Sequence, residues 1–558
     1  MVAVGRPLVL LLLFSIFWSF LPNDNKISFA EAFSLSPHSK SKFSNHHLLS
    51  CSIVKKDIES LLGFADDLLL SSQLEKDIAC RLIPTEEDIL ERVKTQHDLD
   101  YEAAIASPVA IEEPHPIEAA TTTTTLPYEW ISEGKVAAQS LEPVLNPSEI
   151  AVIRHAVETL WTKHKDRNSK TNSRFTYQFK GNSEAHAADF AKLEDGSAIE
   201  TINRLLIETL YPWIRALFLV DEYTSTSQLY VYDSLFIRYN ASASDSNNAG
   251  QPLHRDLGIV SVNIMLNDDF QGGGTYFDNQ FPRSKRRRDV NASLLQPLKP
   301  SGGPGHCIAH YSNERHAGAG TVSGVRDILV FFISAKEAIP SILTAHLKQT
   351  RNVCNYAEYS LDATDRIKAQ LLCRIRHQKL AVATLPEDGE AFLYLGSALM
   401  EYAQLLRRAS SADESNCVEL SEKALQHSLS AFVVASELTP NDARIWNNWG
   451  IALARFEEER RMDTPSISPT TVANVYQTGL DLLVDASMAG CAVDDDLDAI
   501  SLNYGLYLAN QNSYEAAAGV LERPALKLES NQAANFSTTV QDAHRLWTWC
   551  RDQMAKSM

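Results

Sequence analysis

An imidazole and a carboxylate two positions apart on an extended segment can share one metal ion, and His254 and Asp256 form such a pair. Residues i and i+2 of a strand point to the same side, so their ligand atoms converge. A third ligand from elsewhere in the chain completes a facial triad and leaves three adjacent coordination positions open. On iron(II), two of these suit a bidentate 2-oxo acid and one suits dioxygen. The same spacing recurs at His164-Lys165-Asp166, but there it falls in the helical run after Ile150. Side chains two apart on a helix diverge by about 200°. That second pair reads as a solvated surface.

The residues downstream of His254 set the first pair apart. A strand-like segment, Gly258 to Leu266, runs into Leu266-Asn267-Asp268-Asp269-Phe270-Gln271-Gly272-Gly273-Gly274-Thr275-Tyr276-Phe277. Further on stands His316-Ala317-Gly318-Ala319-Gly320-Thr321-Val322-Ser323-Gly324-Val325-Arg326, then Asp327 and an apolar strand. The stretch from about Leu229 to Lys336 resembles the catalytic domain of prolyl 4-hydroxylases and procollagen lysyl hydroxylases. These belong to the iron(II)- and 2-oxoglutarate-dependent dioxygenase superfamily. Their pattern is a His-x-Asp pair, a strand ending in Leu-Asn, a Gly-rich hairpin, a distal His and a basic residue shortly after it.

The resemblance makes His316 the third iron ligand beside His254 and Asp256, the three together forming the catalytic centre. It makes Arg326 the cation for the remote carboxylate of 2-oxoglutarate, which a guanidinium can grip through two hydrogen bonds. Tyr239 matches an aromatic position that helps hold the co-substrate in relatives; a core tyrosine would read the same way. His306 and His310 precede the match, alternate with apolar residues and read as packed or surface histidines. Related halogenases lack the carboxylate at the position of Asp256, so its presence favours hydroxylation.

The implied cofactors are iron(II), 2-oxoglutarate and dioxygen, with L-ascorbate as reductant for uncoupled iron. The implied reaction hydroxylates a peptidyl proline, or alternatively a lysine, with release of succinate and CO2. A reading from another class is a repeat scaffold with an inactive oxygenase fold; the intact His254, Asp256, His316 and Arg326 oppose it. A nucleic-acid demethylase of the same superfamily would carry a second arginine six residues after Arg326, where this chain has Phe332. The net charge of −19 also opposes a nucleic-acid partner.

These residues need elements to hold them. Asn146-Pro147-Ser148-Glu149 is a helix start leading into Ile150 to Trp161, and a second long helix is expected from about Ile199 to Leu219. Tyr230 to Tyr239, Gly258 to Leu266, Gly305 to Tyr311 and Asp327 to Ile333 read as strands. From Pro340 onward the pattern is helical. Phe392, Leu395, Gly396 and Leu399 recur as Trp446, Trp449, Gly450 and Leu453, and more weakly through Tyr504, Gly505 and Leu508. This matches the tetratricopeptide pattern, with insertions expected at Arg408 to Cys417 and Glu457 to Pro469. The expected fold class is α+β followed by all-α: a double-stranded β-helix (jelly-roll) oxygenase domain with supporting helices, then tetratricopeptide-like helices. The helical part is expected to bind a substrate peptide or a partner protein.

At 558 residues, 44% hydrophobic and 22% charged, the chain is globular and too long for one ordinary core. Residues 1–32 read as a signal peptide, with Pro7 to Leu21 as its apolar run and cleavage after Ala30-Glu31-Ala32. Residues 33–56 form a transit-like or disordered segment, and 57–126 a helical segment with a linker. The oxygenase domain spans 127–337 and the tetratricopeptide-like domain 338–558. The leader implies the secretory pathway, either endoplasmic reticulum lumen or export. A Phe at the cleavage point followed by a Ser-, Lys- and His-rich stretch is similar to two-part algal plastid leaders, which keeps a plastid destination open. Membrane retention would need the leader to stay uncleaved as an anchor. The eight cysteines show no metal-binding spacing.

Overall fold

The computed structural model describes residues 58–68, 84–111, 126–131, 135, 137–164, 182–219, 227–241, 250–277, 297–349, 363–409, 415–460, 469–491, 493–530 and 537–557. The leader, the transit-like stretch, and Lys165 and Asp166 lie outside the described residues. The chain divides into two compact units. One comprises Glu87–His346 with Val484–Asp494, and the other Met1–Glu86, Leu347–Leu483 and Asp495–Met558.

The first unit is built on an antiparallel sheet with strands β1 (Tyr128–Trp130), β2 (Ala137–Ser140), β3 (Asn182–His186), β4 (Leu229–Asn240), β5 (Val260–Met265), β6 (Phe270–Gly272), β8 (Cys307–Tyr311) and β10 (Thr321–Ala335). Its order is β1-β2-β8-β5-β10-β4-β3, with β6 pairing the start of β10. A second, two-stranded sheet joins β7 (Thr275–Phe277) to β9 (His316–Gly318). β10 is long enough to serve both β4 and β5 along its second half and β6 at its start.

Helices cover one face of the sheet. Asn146 caps the helix Pro147–His164: its side-chain oxygen accepts from the backbone N–H groups of Ser148 and Glu149 at 3.0 and 3.1 Å, while Glu149 accepts from the Asn146 N–H at 2.8 Å. This reciprocal arrangement satisfies donors that the first turn cannot pair internally. Ile153, Val157, Ile202, Leu206, Trp213 and Ile214 then pack with Phe236, Val262, Leu329 and Phe331 in one buried cluster. The single helix expected over Ile199 to Leu219 is instead three pieces: an α-helix Ser197–Leu205, a π-helical turn Leu206–Leu210 and an α-helix Tyr211–Phe218. Pro212, at the start of the third piece, has no N–H to continue the ladder, and the wider turn accommodates it. Upstream, the helix Glu86–Ile105 is tied to the strands by His97 Nε2 with Lys336 O at 3.0 Å and by the Tyr101 hydroxyl donating to Gln228 Oε1 at 3.0 Å.

The second unit is helical among its described residues. Antiparallel pairs Gly389–Ala409 with Ser415–Leu438, Ala443–Arg460 with Pro469–Met488, and Asp494–Asn510 with Tyr514–Ser530 follow one another, and Thr538–Ser557 closes the series. One glycine recurs in the first helix of each pair. A Cβ there would lie 2.9 Å from Phe432 at Gly396, 2.7 Å from Tyr476 at Gly450 and 2.6 Å from Leu521 at Gly505. Each glycine thus lets a large side chain of the second helix seat against the backbone of the first. The insertions expected at Arg408 to Cys417 and Glu457 to Pro469 lie in part outside the described residues. The first pair has helices of 21 and 24 residues, whereas the third has two of 17.

Candidate metal centre

His254 and His316 meet through the backbone. The N–H of His254 donates to His316 O at 2.8 Å, and the N–H of His316 donates to His254 O at 2.9 Å, an isolated antiparallel bridge. Directly opposed residues of an antiparallel pair project to the same side, so both imidazoles come together. Asp256 is fixed in turn by its N–H donating to Ser312 O at 2.8 Å. Ligand atoms of His254, Asp256 and His316 all lie within 4.8 Å of one another.

The detailed geometry suits a metal. His254 Nε2 is 3.2 Å from one Asp256 oxygen and His316 Nε2 is 3.4 Å from the other. Ligands bonded at about 2.1 Å and at right angles around one ion stand roughly 3 Å apart. His254 Nδ1 donates to Pro252 O at 2.8 Å and His316 Nδ1 to Glu314 O at 3.0 Å, which turns Nε2 of each ring towards Asp256 as the nitrogen that would face a metal. Ser261 Oγ donates to Asp256 Oδ2 at 2.6 Å and lies 3.2 Å from Ser312 Oγ, orienting the carboxylate.

Electrostatics agree with a cation-ready site. Burial drives the His316 imidazole down to about 3 despite the nearby Asp256 charge. Burial also works to raise Asp256, but His316 and His254 outweigh it and hold the carboxyl well below its usual range. At His254 burial opposes protonation, yet the hydrogen bond and charge of Asp256 prevail and raise its pKa. The two histidines and the carboxylate are therefore the donor set that a borderline divalent metal takes.

Arg326 and Tyr239 face each other on β10 and β4 in direct register. The Arg326 guanidinium carbon sits 5.1 Å from the centre of the Tyr239 ring. Arg326 is buried, and among the described residues its Nη1 has no hydrogen-bond partner. Burial lowers the pKa of Arg326, which Tyr239 opposes, and burial pushes the Tyr239 hydroxyl up to about 12. A buried guanidinium nitrogen without an acceptor is costly unless a ligand supplies one. A pocket lined by Asn263, Thr275, Lys299, Arg326 and Ile328 opens beside it. The triad does not line this pocket, yet both lie on one face of β5: Ser261 touches Asp256, and Asn263, two residues on, lines the pocket.

Neighbouring strands lock this orientation. Asp327, which points the other way along β10, is fully buried and accepts from Arg238 Nε and Nη2 at 2.7 and 2.8 Å. Asn267, the Asn of the Leu-Asn motif, accepts from the Asp327 N–H at 2.7 Å and donates to Val325 O at 2.7 Å. The Gly-rich hairpin is positional too. Gly272, Gly273 and Gly274 have φ of +74°, +68° and +114°, and a Cβ at Gly273 would lie 2.7 Å from Arg326 Cδ.

His310, expected as a packed or surface histidine, belongs to the surroundings of the metal site. It is fully buried, with its ring centre 4.3 Å from that of His316, its Nδ1 donating to Tyr311 O at 3.0 Å and its Nε2 without a partner. The alternation of β8, where His310 pairs with Ser261, is the signal that places it on the metal side. His306 is also buried, and a Cβ at Gly302 would meet its imidazole.

No family model matches the sequence, and no curated protein matches it. Among solved structures, AviO1 from Streptomyces viridochromogenes Tue57 is similar at 18% identity and a TM-score of 0.27, covering 37% of this chain and 92% of that one. SnoK, described as a non-heme alpha ketoglutarate dependent carbocyclase from nogalamycin biosynthesis, shows 16% identity and a TM-score of 0.23, with 41% and 86% covered. An oxidoreductase of the 2OG-Fe(II) oxygenase family from Burkholderia pseudomallei shows 22% identity and a TM-score of 0.18. The match to that protein covers 25% of this chain and 59% of the other. These likenesses are low in sequence and in superposition, and the chemistry is read from the residues themselves.

Proposed function

We propose that the chain is an iron(II)- and 2-oxoglutarate-dependent dioxygenase that hydroxylates a peptidyl side chain, proline first and lysine second. The observation that carries this reading is a His254–Asp256–His316 set held through Ser261 beside the face of β5 that lines the pocket of Arg326, a buried guanidinium with a nitrogen unpaired among the described residues. In this reading the sheet unit is a double-stranded β-helix and the paired helices are tetratricopeptide-like repeats, supported by the glycine packing at Gly396, Gly450 and Gly505.

Iron(II), when bound, would supply dioxygen activation coupled to decarboxylation of 2-oxoglutarate; one oxygen atom enters succinate and the other enters the substrate C–H bond as hydroxyl, with loss of CO2. The residues do the rest. His254, Asp256 and His316 would hold the ion on one side and leave its other side for co-substrates. Pro252 O and Glu314 O keep each imidazole in the tautomer that presents Nε2. Ser261 keeps the Asp256 carboxylate turned towards the histidines. Arg326 would take the remote carboxylate, and the buried surroundings strengthen that ion pair.

The helical unit supports a peptide substrate, because stacked helix pairs offer an extended surface. Ascorbate as reductant and entry into the secretory pathway belong to the same reading. The test is incubation of the full chain with iron(II), 2-oxoglutarate, ascorbate and proline- or lysine-containing peptides. Succinate formation together with a peptide heavier by one oxygen atom is expected. Succinate without peptide oxidation, across peptides of both kinds, would remove the peptidyl part.

A further inference from the structure

Among the described residues, the pocket beside Arg326 carries two cations and no acid. Arg326 and Lys299 both line it, and every other lining residue is apolar, a glycine, a proline, Asn263 or Thr275. Arg326 reaches it from β10 with Nη1 buried and unpartnered. The next residue on the same face of β10, Ile328, is apolar, so that strand supplies no second donor. Lys299 comes from the segment before β8. Its ammonium lies 4.9 Å from the centre of the Phe270 ring, and among the described residues it has no carboxylate partner. Burial, and after it the charge of Arg326, lowers the pKa of Lys299, so the two cations sense each other. Two like charges sharing one small pocket repel unless an anion lies between them.

We propose that Lys299 is a second cation for the remote carboxylate of the co-substrate, so that Lys299 and Arg326 together select a dicarboxylic 2-oxo acid over a monocarboxylic one of equal length. This rests on the reading of the site as one for 2-oxoglutarate. The aromatic face of Phe270, which also lines the pocket, steers the ammonium. Arg326 supplies the buried, fixed contact and Lys299 the outer one.

The experiment measures dissociation constants by calorimetry on the full chain loaded anaerobically with iron(II), for 2-oxoglutarate and for 2-oxopentanoate, which has the same chain length without the remote carboxylate. Lys299→Met, which keeps the stem, is expected to weaken 2-oxoglutarate about fivefold, as suits a partly exposed charge pair. It is expected to leave 2-oxopentanoate within about twofold, and Lys299→Arg to recover most of the loss. Unchanged 2-oxoglutarate affinity in Lys299→Met, or equal loss for both acids, would overturn the proposal while leaving the co-substrate reading intact. A folded wild type that binds iron(II) but neither acid would instead overturn the co-substrate reading, and the role of Lys299 with it.

Discussion

At the scale of single residues, the site depends on groups that hold the ligands as much as on the ligands. Ser261 is the clearest case, since its hydroxyl donates to Asp256 Oδ2 at 2.6 Å. Ser261→Ala is expected to weaken iron(II) binding roughly tenfold with no change in unfolding midpoint, as a competition titration against a chelator would read. Tyr239 divides by atom: its ring stacks under Arg326, so Tyr239→Phe should keep 2-oxoglutarate affinity within about threefold, whereas Tyr239→Ala loses the cation–π support. Equal losses in the two variants, measured by calorimetry, would move the role from the ring to the hydroxyl.

At the scale of elements, β10 is the organiser. It places Arg326 on the pocket face and Asp327 on the helix-covered face, and Asp327 anchors through Arg238 and Asn267. Asp327→Asn is expected to destabilise the sheet unit by about 2 kcal/mol in urea unfolding, because it leaves the partly exposed Arg238 short of its acceptor. Gly273→Ala should weaken 2-oxoglutarate at least tenfold, since the added methyl meets the Arg326 side chain. Much of this element layer is legible in the sequence. The strands around His254 and Arg326 are apolar and β-branched, bounded by glycine and asparagine, and they stand within two residues of their expected positions at β4, β5 and β8. β1, β2 and β3 escape because Tyr128–Trp130 is three residues long, and Ala137–Ser140 and Asn182–His186 are rich in small and polar residues whose strand state comes from pairing rather than propensity. His310 is read from the sequence as packed or surface; the alternation of β8 puts it on one face, and pairing with Ser261 makes that the face of Asp256.

At the scale of the whole molecule, the net charge of −19 bears on substrate choice. If the proposed peptide substrate is the right one, an acidic chain gathers its basic forms, so KM for a lysine-flanked proline peptide is expected to rise severalfold between about 50 and 300 mM salt while kcat holds. A flat salt profile would place recognition in apolar contacts instead. The helical character of the chain after Pro340 is legible in the sequence, and Gly396, Gly450 and Gly505, singled out there by their spacing, each face a large side chain of the following helix.

On the proposed function, His254, Asp256 and His316 hold iron(II) and Arg326 holds 2-oxoglutarate. The most direct measurement is an anaerobic titration of the full chain with iron(II) and 2-oxoglutarate, following the weak visible metal-to-ligand charge-transfer band in the wild type, His316→Ala and Arg326→Ala. The band is expected in the wild type and lost in His316→Ala, and in Arg326→Ala it should require at least tenfold more 2-oxoglutarate. A folded wild type that binds iron(II) without developing the band, or a band undiminished in His316→Ala, would contradict the claim.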